Sequence, residues 1–139
     1  MKLTYQFLLR TLSHQMKQAA DRKLDEFGVT AEQGHTLSYI YRFEDKQLSQ
    51  NDLERVFQRR GSSISNSVRN LEQRGLLIRK TNASDERKKI LLLTDEGRHL
   101  VESFDTVFED VEGDLVKGFS KAEKAMLEEF LERMTANLK

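Results

Sequence analysis

A mainly α-helical fold with one small β-hairpin is what this sequence predicts, and three observations carry the expectation. Apolar residues recur at three- and four-residue spacing over most of the 139 positions, the pattern of helices with one buried stripe. Thr30, Ser49, Thr94 and Ser120 stand just ahead of such runs, and Gly28 and Gly75 just behind two of them, as helix starts and stops require. Around residues 76–93 the pattern changes to two short apolar runs separated by a polar, basic loop.

In chain order, Leu3, Phe7, Leu8, Leu12, Met16, Ala19, Ala20, Leu24 and Phe27 place a first helix over residues 3–27, stopped by Gly28. Thr30 caps a second helix through about residue 43 with Leu37, Ile40 and Tyr41 inward, and Glu44-Asp45-Lys46 forms a turn. Ser49-Gln50-Asn51-Asp52 resembles a capping box with Asp52 in place of the usual Glu, opening a short third helix with Leu53, Val56 and Phe57 inward. Arg59-Arg60-Gly61 turns into a fourth helix over residues 62–74, and Gly75 ends it. Residues 76–80 and 89–93 are strands. Thr94 caps a fifth helix with the stripe Leu100, Phe104, Val107, Phe108, Val111 and Leu115, and acids in its first turn suit the helix dipole. After Gly118, the capping box Ser120-Lys121-Ala122-Glu123 opens a sixth, with Met126, Leu127, Phe130, Leu131, Met134 and Leu138 along it.

The expected order is thus α-α-α-α-β-β-α-α. Helices two to four and the hairpin share a small core around Leu37, Ile40, Leu53, Val56, Ile64, Val68, Leu71, Leu77, Ile78 and Leu91. The first, fifth and sixth helices carry more apolar stripe than that module covers, so they are expected to bury each other and a second copy of the chain.

Composition narrows the function. The length fits about one domain, and 33% charged against 37% hydrophobic residues suits helices with one wet face. There is no run of about 18 apolar residues, and residues 1–7 lack a signal-peptide core, so a cytoplasmic protein away from membranes is expected. The absence of cysteine excludes disulfides and thiol chemistry. The net charge of zero hides a segregation. Residues 55–89 carry ten Lys or Arg against three acids, +7, and residues 94–139 carry twelve acids against six bases, −6. A basic middle segment is the footprint expected for phosphate binding.

That segment holds the chemistry. In the fourth helix, Ile64, Val68 and Leu71 share one face, and Ser62, Asn66, Arg69 and Gln73 project from the other, flanked by Ser63, Ser65 and Asn70. Short hydrogen-bonding side chains near the start of such a helix are what read base edges in the major groove. Asn66 suits a bidentate contact to adenine, and Arg69 suits guanine or a phosphate. Arg59, Arg60 and the serines suit phosphates or bases. In the hairpin loop, Arg87 is placed for a narrow minor groove, and Lys88 and Lys89 for phosphates. A groove-reading helix followed by a basic β-ribbon describes a winged helix-turn-helix, with double-stranded DNA as the partner.

The run Asn70-Leu71-Glu72-Gln73-Arg74-Gly75-Leu76-Leu77-Ile78-Arg79, the loop Ser84-Asp85-Glu86-Arg87-Lys88-Lys89 and the exit Leu93-Thr94-Asp95-Glu96-Gly97 resemble the MarR family of winged helix-turn-helix regulators. The resemblance covers nearly the whole chain; the turn Arg59-Arg60-Gly61 is more basic than in most of the family. It implies a single domain over residues 1–139: residues 1–29 and 95–139 dimerise, and residues 30–94 form the DNA-binding module. It also implies that Asp85 orders the wing, and that the function is transcriptional regulation, more often repression. A two-fold homodimer implies a pseudo-palindromic operator with half-sites about one helical turn apart. Relatives commonly bind a small aromatic or anionic effector in a crevice between the dimerisation helices and the winged helix. On that basis His14, Tyr39 and Arg42 are candidates for lining such a crevice here.

Other classes fare worse. Glu32 and His35 share a helical face, but with His14 and His99 elsewhere the chain lacks a structural metal set, so no metal and no other cofactor are expected. With no phosphate-binding glycine loop, nucleophile elbow or paired catalytic acids, an enzyme is not expected. The rival is a winged-helix module for protein–protein interaction without specific DNA binding. The +7 segment argues against it, because a protein partner gives no reason to place Arg59, Arg60, Arg69, Arg87, Lys88 and Lys89 on one side. Steep salt dependence favours DNA, and a stable complex with an acidic protein and none with DNA favours the rival.

Overall fold

The protein is described here from a computed structural model covering residues 2–58 and 61–139, with only the backbone of Ser62. The elements are α1 (Thr4–Leu24), α2 (Ala31–Arg42), α3 (Gln50–Phe57), α4 (Gly61–Gln73), β1 (Leu77–Thr81), β2 (Lys89–Leu93), α5 (Asp95–Phe104), α6 (Val107–Leu115) and α7 (Lys121–Asn137). Short 3-10 turns follow α1 (Asp25–Phe27) and α2 (Glu44–Lys46).

Local chemistry accounts for most boundaries. Gly28, at φ 73°, ends the first helical stretch in the left-handed conformation that glycine tolerates. Thr30 opens α2 with a full capping box: its hydroxyl accepts from the Gln33 N–H at 3.1 Å, and its own N–H donates to Gln33 Oε1 at 3.0 Å. Ser49 and Asp52 form the same device on α3, and Ser120 and Glu123 on α7. Thr94 accepts from the Gly97 N–H at 3.0 Å and donates to the Gly75 carbonyl at 2.6 Å, tying the start of α5 to the end of α4. A Cβ at Gly97 would lie 2.2 Å from the Leu76 carbonyl oxygen, so this approach needs glycine.

The strands pair antiparallel from Leu77↔Leu93 to Thr81↔Lys89. The Leu91 N–H donates to the Leu48 carbonyl at 2.8 Å, which anchors the segment before α3 against the hairpin. Leu24, Leu37, Ile40, Leu53, Val68, Leu71 and Phe104 are all at 0% exposure, joining helices from both ends of the chain in one core. Arg98 on α5 donates to Glu44 at 2.7 Å, and the other oxygen of Glu44 accepts from the Leu93 N–H at 3.3 Å.

Several sequence expectations are corrected. The fifth expected helix is two segments, α5 and α6. Asp105 and Thr106 between them stay in right-handed helical backbone, so the apolar stripe continues through buried Phe104, Val107 and Val111, and periodicity does not register the break. Tyr41, Val56 and Ile78 are exposed rather than inward. Ile40 takes the inward place beside Tyr41, and Leu53 does so on α3. On β1, Leu77 faces the core, so alternation turns Ile78 outward.

None of α7 is buried, and Leu3, Tyr5, Phe7, Leu8, Leu9 and Leu12 on the N-terminal part of the chain are exposed as well. Among the described residues, no helix is long and apolar enough to cross a membrane.

The α3 cap has a pH signature. Burial pushes the Asp52 carboxyl up, but hydrogen bonds from the Ser49 N–H (2.8 Å) and hydroxyl (3.1 Å), with the Arg55 guanidinium, outweigh it and hold the carboxyl below its ordinary value. A lowered folded value means the charge contributes stability above the unfolded value, about pH 4, and loses it as pH falls through the folded one. Asp52→Asn is therefore expected to cost about 1 kcal/mol at pH 7 and progressively less below pH ~4 in urea unfolding at fixed protein concentration. A pH-independent difference would contradict the assignment.

Candidate nucleic-acid interface

Helix α4 is fixed by its apolar face: Ile64, Val68 and Leu71 are at 2%, 0% and 0% exposure. That orientation leaves Asn66 and Arg69 exposed and Ser65 half-buried. Polar contacts from α2 add to the grip. Ser63 and Ser67 donate to one oxygen of Glu32 at 3.4 and 3.2 Å, and Gln33 donates to the Asn70 side-chain oxygen at 2.8 Å. Ser63 and Asn70, singled out for DNA contact, thus also serve the seating of α4. Arg59 and Arg60 lie outside the described residues, as does the side chain of Ser62.

In the wing, the Arg87 side chain is 94% exposed at the loop. Asp85 accepts from the Arg87 backbone N–H at 3.1 Å and faces its guanidinium at 3.5 Å, both capping the turn and holding the cation. Lys89 donates to Thr81 across the strands at 2.8 Å, and Lys88 is half-buried. Arg79 pairs with Glu72 at 2.9 Å, bracing β1 on α4. The exposed set Asn66, Arg69 and Arg87 offers amide and guanidinium donors for base edges and phosphates.

Three residues that sequence reasoning missed organise this surface. Asn82, at 8% exposure, accepts from the Ser84 and Asp85 N–H groups at 2.7 and 3.1 Å, while its N–H donates to the Lys88 carbonyl at 2.9 Å. An Asn two and three residues ahead of polar loop positions is a signal for such a turn, so it was readable. Gln33 was readable as the partner of Thr30 in a capping box, though its bond to Asn70 was not. Glu32 left no local signal, because its serine partners lie 31 and 35 residues away.

A crevice of about 560 Å³ opens between α1, α2 and α6, its wall including Arg10, His14 and Lys17, then Glu32 and His35, then Phe108 and Glu112. The His35 ring stacks on Phe108 with centroids 3.9 Å apart. His14 is thus in the crevice. Tyr39 lies elsewhere, packed against Phe43 and Phe57 at 4.7 and 5.7 Å, and Arg42 is exposed in the last turn of α2. Among the described residues, no group of three or more His, Cys, Asp or Glu is placed to hold a metal.

Known proteins match this architecture. A sequence model of the MarR family matches residues 27–88. MepR of Staphylococcus aureus, solved as a complex with DNA, is 42% identical over 98% of this chain and 99% of that one, with a TM-score of 0.92. The same protein bound to ethidium bromide, again 42% identical over 99% of this chain and 98% of that one, gives a TM-score of 0.58. Identity is unchanged, so the two scores differ in shape and not in sequence. An uncharacterized HTH-type transcriptional regulator of Bacillus subtilis, YdgJ, is 25% identical over 111 residues, which cover 80% of this chain and 66% of that protein.

Asn82→Ala is expected to speed amide exchange at Ser84 and Asp85 at least tenfold, with α5 protection retained. Unchanged wing exchange would show that Asn82 does not order the loop.

Proposed function

This chain belongs to the MarR family of winged helix-turn-helix transcription regulators, and we propose that it binds a pseudo-palindromic operator in double-stranded DNA as a homodimer and represses the promoter there. The observation that carries this reading is a recognition helix held by a fully buried face while Asn66 and Arg69 stay exposed, followed by a wing whose loop presents Arg87. The likeness in shape to DNA-bound MepR supports the view that the state described here is competent for DNA.

Within that reading, Asn66 and Arg69 contact bases, with Ser62, Ser63, Ser65 and Asn70 at their margins. Arg87 enters the minor groove; Arg59, Arg60, Lys88 and Lys89 neutralise phosphates. Residues 30–94 form the DNA-binding module, and residues 1–29 and 95–139 the dimerisation arm. The exposed apolar residues of α1 and α7, including Phe7, Leu8, Met126, Phe130, Leu131 and Met134, support a second copy as their cover. The setting is the cytoplasm, and the role is regulatory rather than enzymatic. A small aromatic effector in the crevice beside His14 releases the protein from DNA; that a relative binds ethidium supports an aromatic ligand.

Arg87→Ala is expected to weaken binding to the DNA upstream of the protein's own gene by about 1–3 kcal/mol in gel-shift titrations at fixed salt. Unchanged affinity would remove Arg87 from the interface. Light scattering at micromolar concentration is expected to give twice the 16.2 kDa chain mass, and a monomer mass would contradict the dimer.

A further inference from the structure

Glu32 has two roles in one side chain. It lines the crevice between α1, α2 and α6, and its carboxylate accepts hydrogen bonds from Ser63 and Ser67 on the recognition helix. We propose that Glu32 links the two sites: an aromatic cation seated in the crevice draws the carboxylate off Ser63 and Ser67, and so loosens α4 and lowers DNA affinity. This rests on the reading of the crevice as the effector site, and names the ligand charge and the residue that transmits its arrival.

The geometry favours an exchange of partners. At 3.4 and 3.2 Å the serine bonds are long for a hydroxyl donor, whose ordinary distance is about 2.7–2.8 Å. A cationic donor makes a contact with a carboxylate roughly twice as strong as a neutral one. A second carboxylate, Glu112, stands on the same wall, and the Phe108 ring offers an aromatic surface. Arg10 and Lys17 on the α1 wall would attract an anion, but an anion offers Glu32 no exchange and leaves the serine bonds in place.

The contacts at stake lie where they matter. Ser63 and Ser67 flank Asn66 on α4, and the apolar residues Ile64 and Val68 interleave with them. Losing both bonds removes two directional contacts from the α2 side of α4 and leaves the Gln33–Asn70 bond one turn further on. The apolar contacts resist separation but are non-directional and fix rotation about the helix axis less sharply. A small rotation of α4 redirects Asn66 and Arg69, and base contacts are sensitive to such redirection.

The test uses the full chain with tetraphenylphosphonium, an aromatic cation that does not intercalate, and salicylate as the aromatic anion. Calorimetry without DNA reads crevice binding, and anisotropy with operator DNA reads release. In the wild type, saturating cation is expected to raise the DNA Kd at least tenfold, while salicylate changes it less than twofold. In Glu32→Gln, the cation-induced change is expected to fall below threefold, whatever its starting affinity. In the double variant Ser63→Ala with Ser67→Ala, the cation is expected to bind as in the wild type but to change the DNA Kd less than threefold. The double variant keeps the link testable should Glu32→Gln fail to fold. Cation binding with undiminished release in the double variant would overturn the Glu32 link and leave the effector crevice standing. Release by salicylate alone would likewise overturn the link and retain the crevice. No heat from either ligand would overturn the effector-crevice reading itself, and the link with it.

Discussion

A helix can present one face to a groove only if its opposite face is held, and that constraint organises this molecule. Ile64, Val68 and Leu71 give α4 an apolar stripe with essentially no exposure, which fixes which residues point outward. The elements around it serve that seating. The α2 capping box supplies Gln33 to Asn70, Arg79 on β1 braces Glu72, and Leu48 is bonded to the hairpin that follows. Burial supplies most of the holding energy, at roughly 1.5–3 kcal/mol for each fully buried aliphatic side chain. The polar bonds add less energy but supply direction.

What was legible in the sequence was local. Thr30, Ser49, Thr94 and Ser120 each accept the hydrogen bond expected of a cap, and the stripe of α4 appears as read. Local reading failed where two neighbours competed for one inward place, as Ile78 did with Leu77 and Tyr41 with Ile40. Strand alternation would have settled the first case. Glu32 could not be found this way, because its role exists only once α2 and α4 are packed together. Asn82 could have been, since its turn closes over adjacent residues. Of the three crevice candidates, the fold brings His14 to the crevice and packs Tyr39 among phenylalanines, a distinction that depends on which side of α2 faces α6.

The chain divides its apolar surface unequally. The segment from α2 to β2 buries its own stripes, while α7 and the first turns of α1 leave theirs uncovered. A helix of 17 residues without a buried side chain gains little from its own chain, so its stability is coupled to whatever covers it. Under the proposed function that cover is a second copy, and the spacing of the two wings then depends on the same surface that stabilises the protomer.

Specific DNA binding is read by a fluorescence-anisotropy titration of the wild type. It would use the DNA upstream of its own gene, with random DNA of equal length, at two salt concentrations. Tighter binding to the upstream DNA and a steep loss with salt are expected, log K falling against log salt with a slope of about −4 or steeper. Salt-insensitive binding, or none to either DNA, would contradict specific DNA binding.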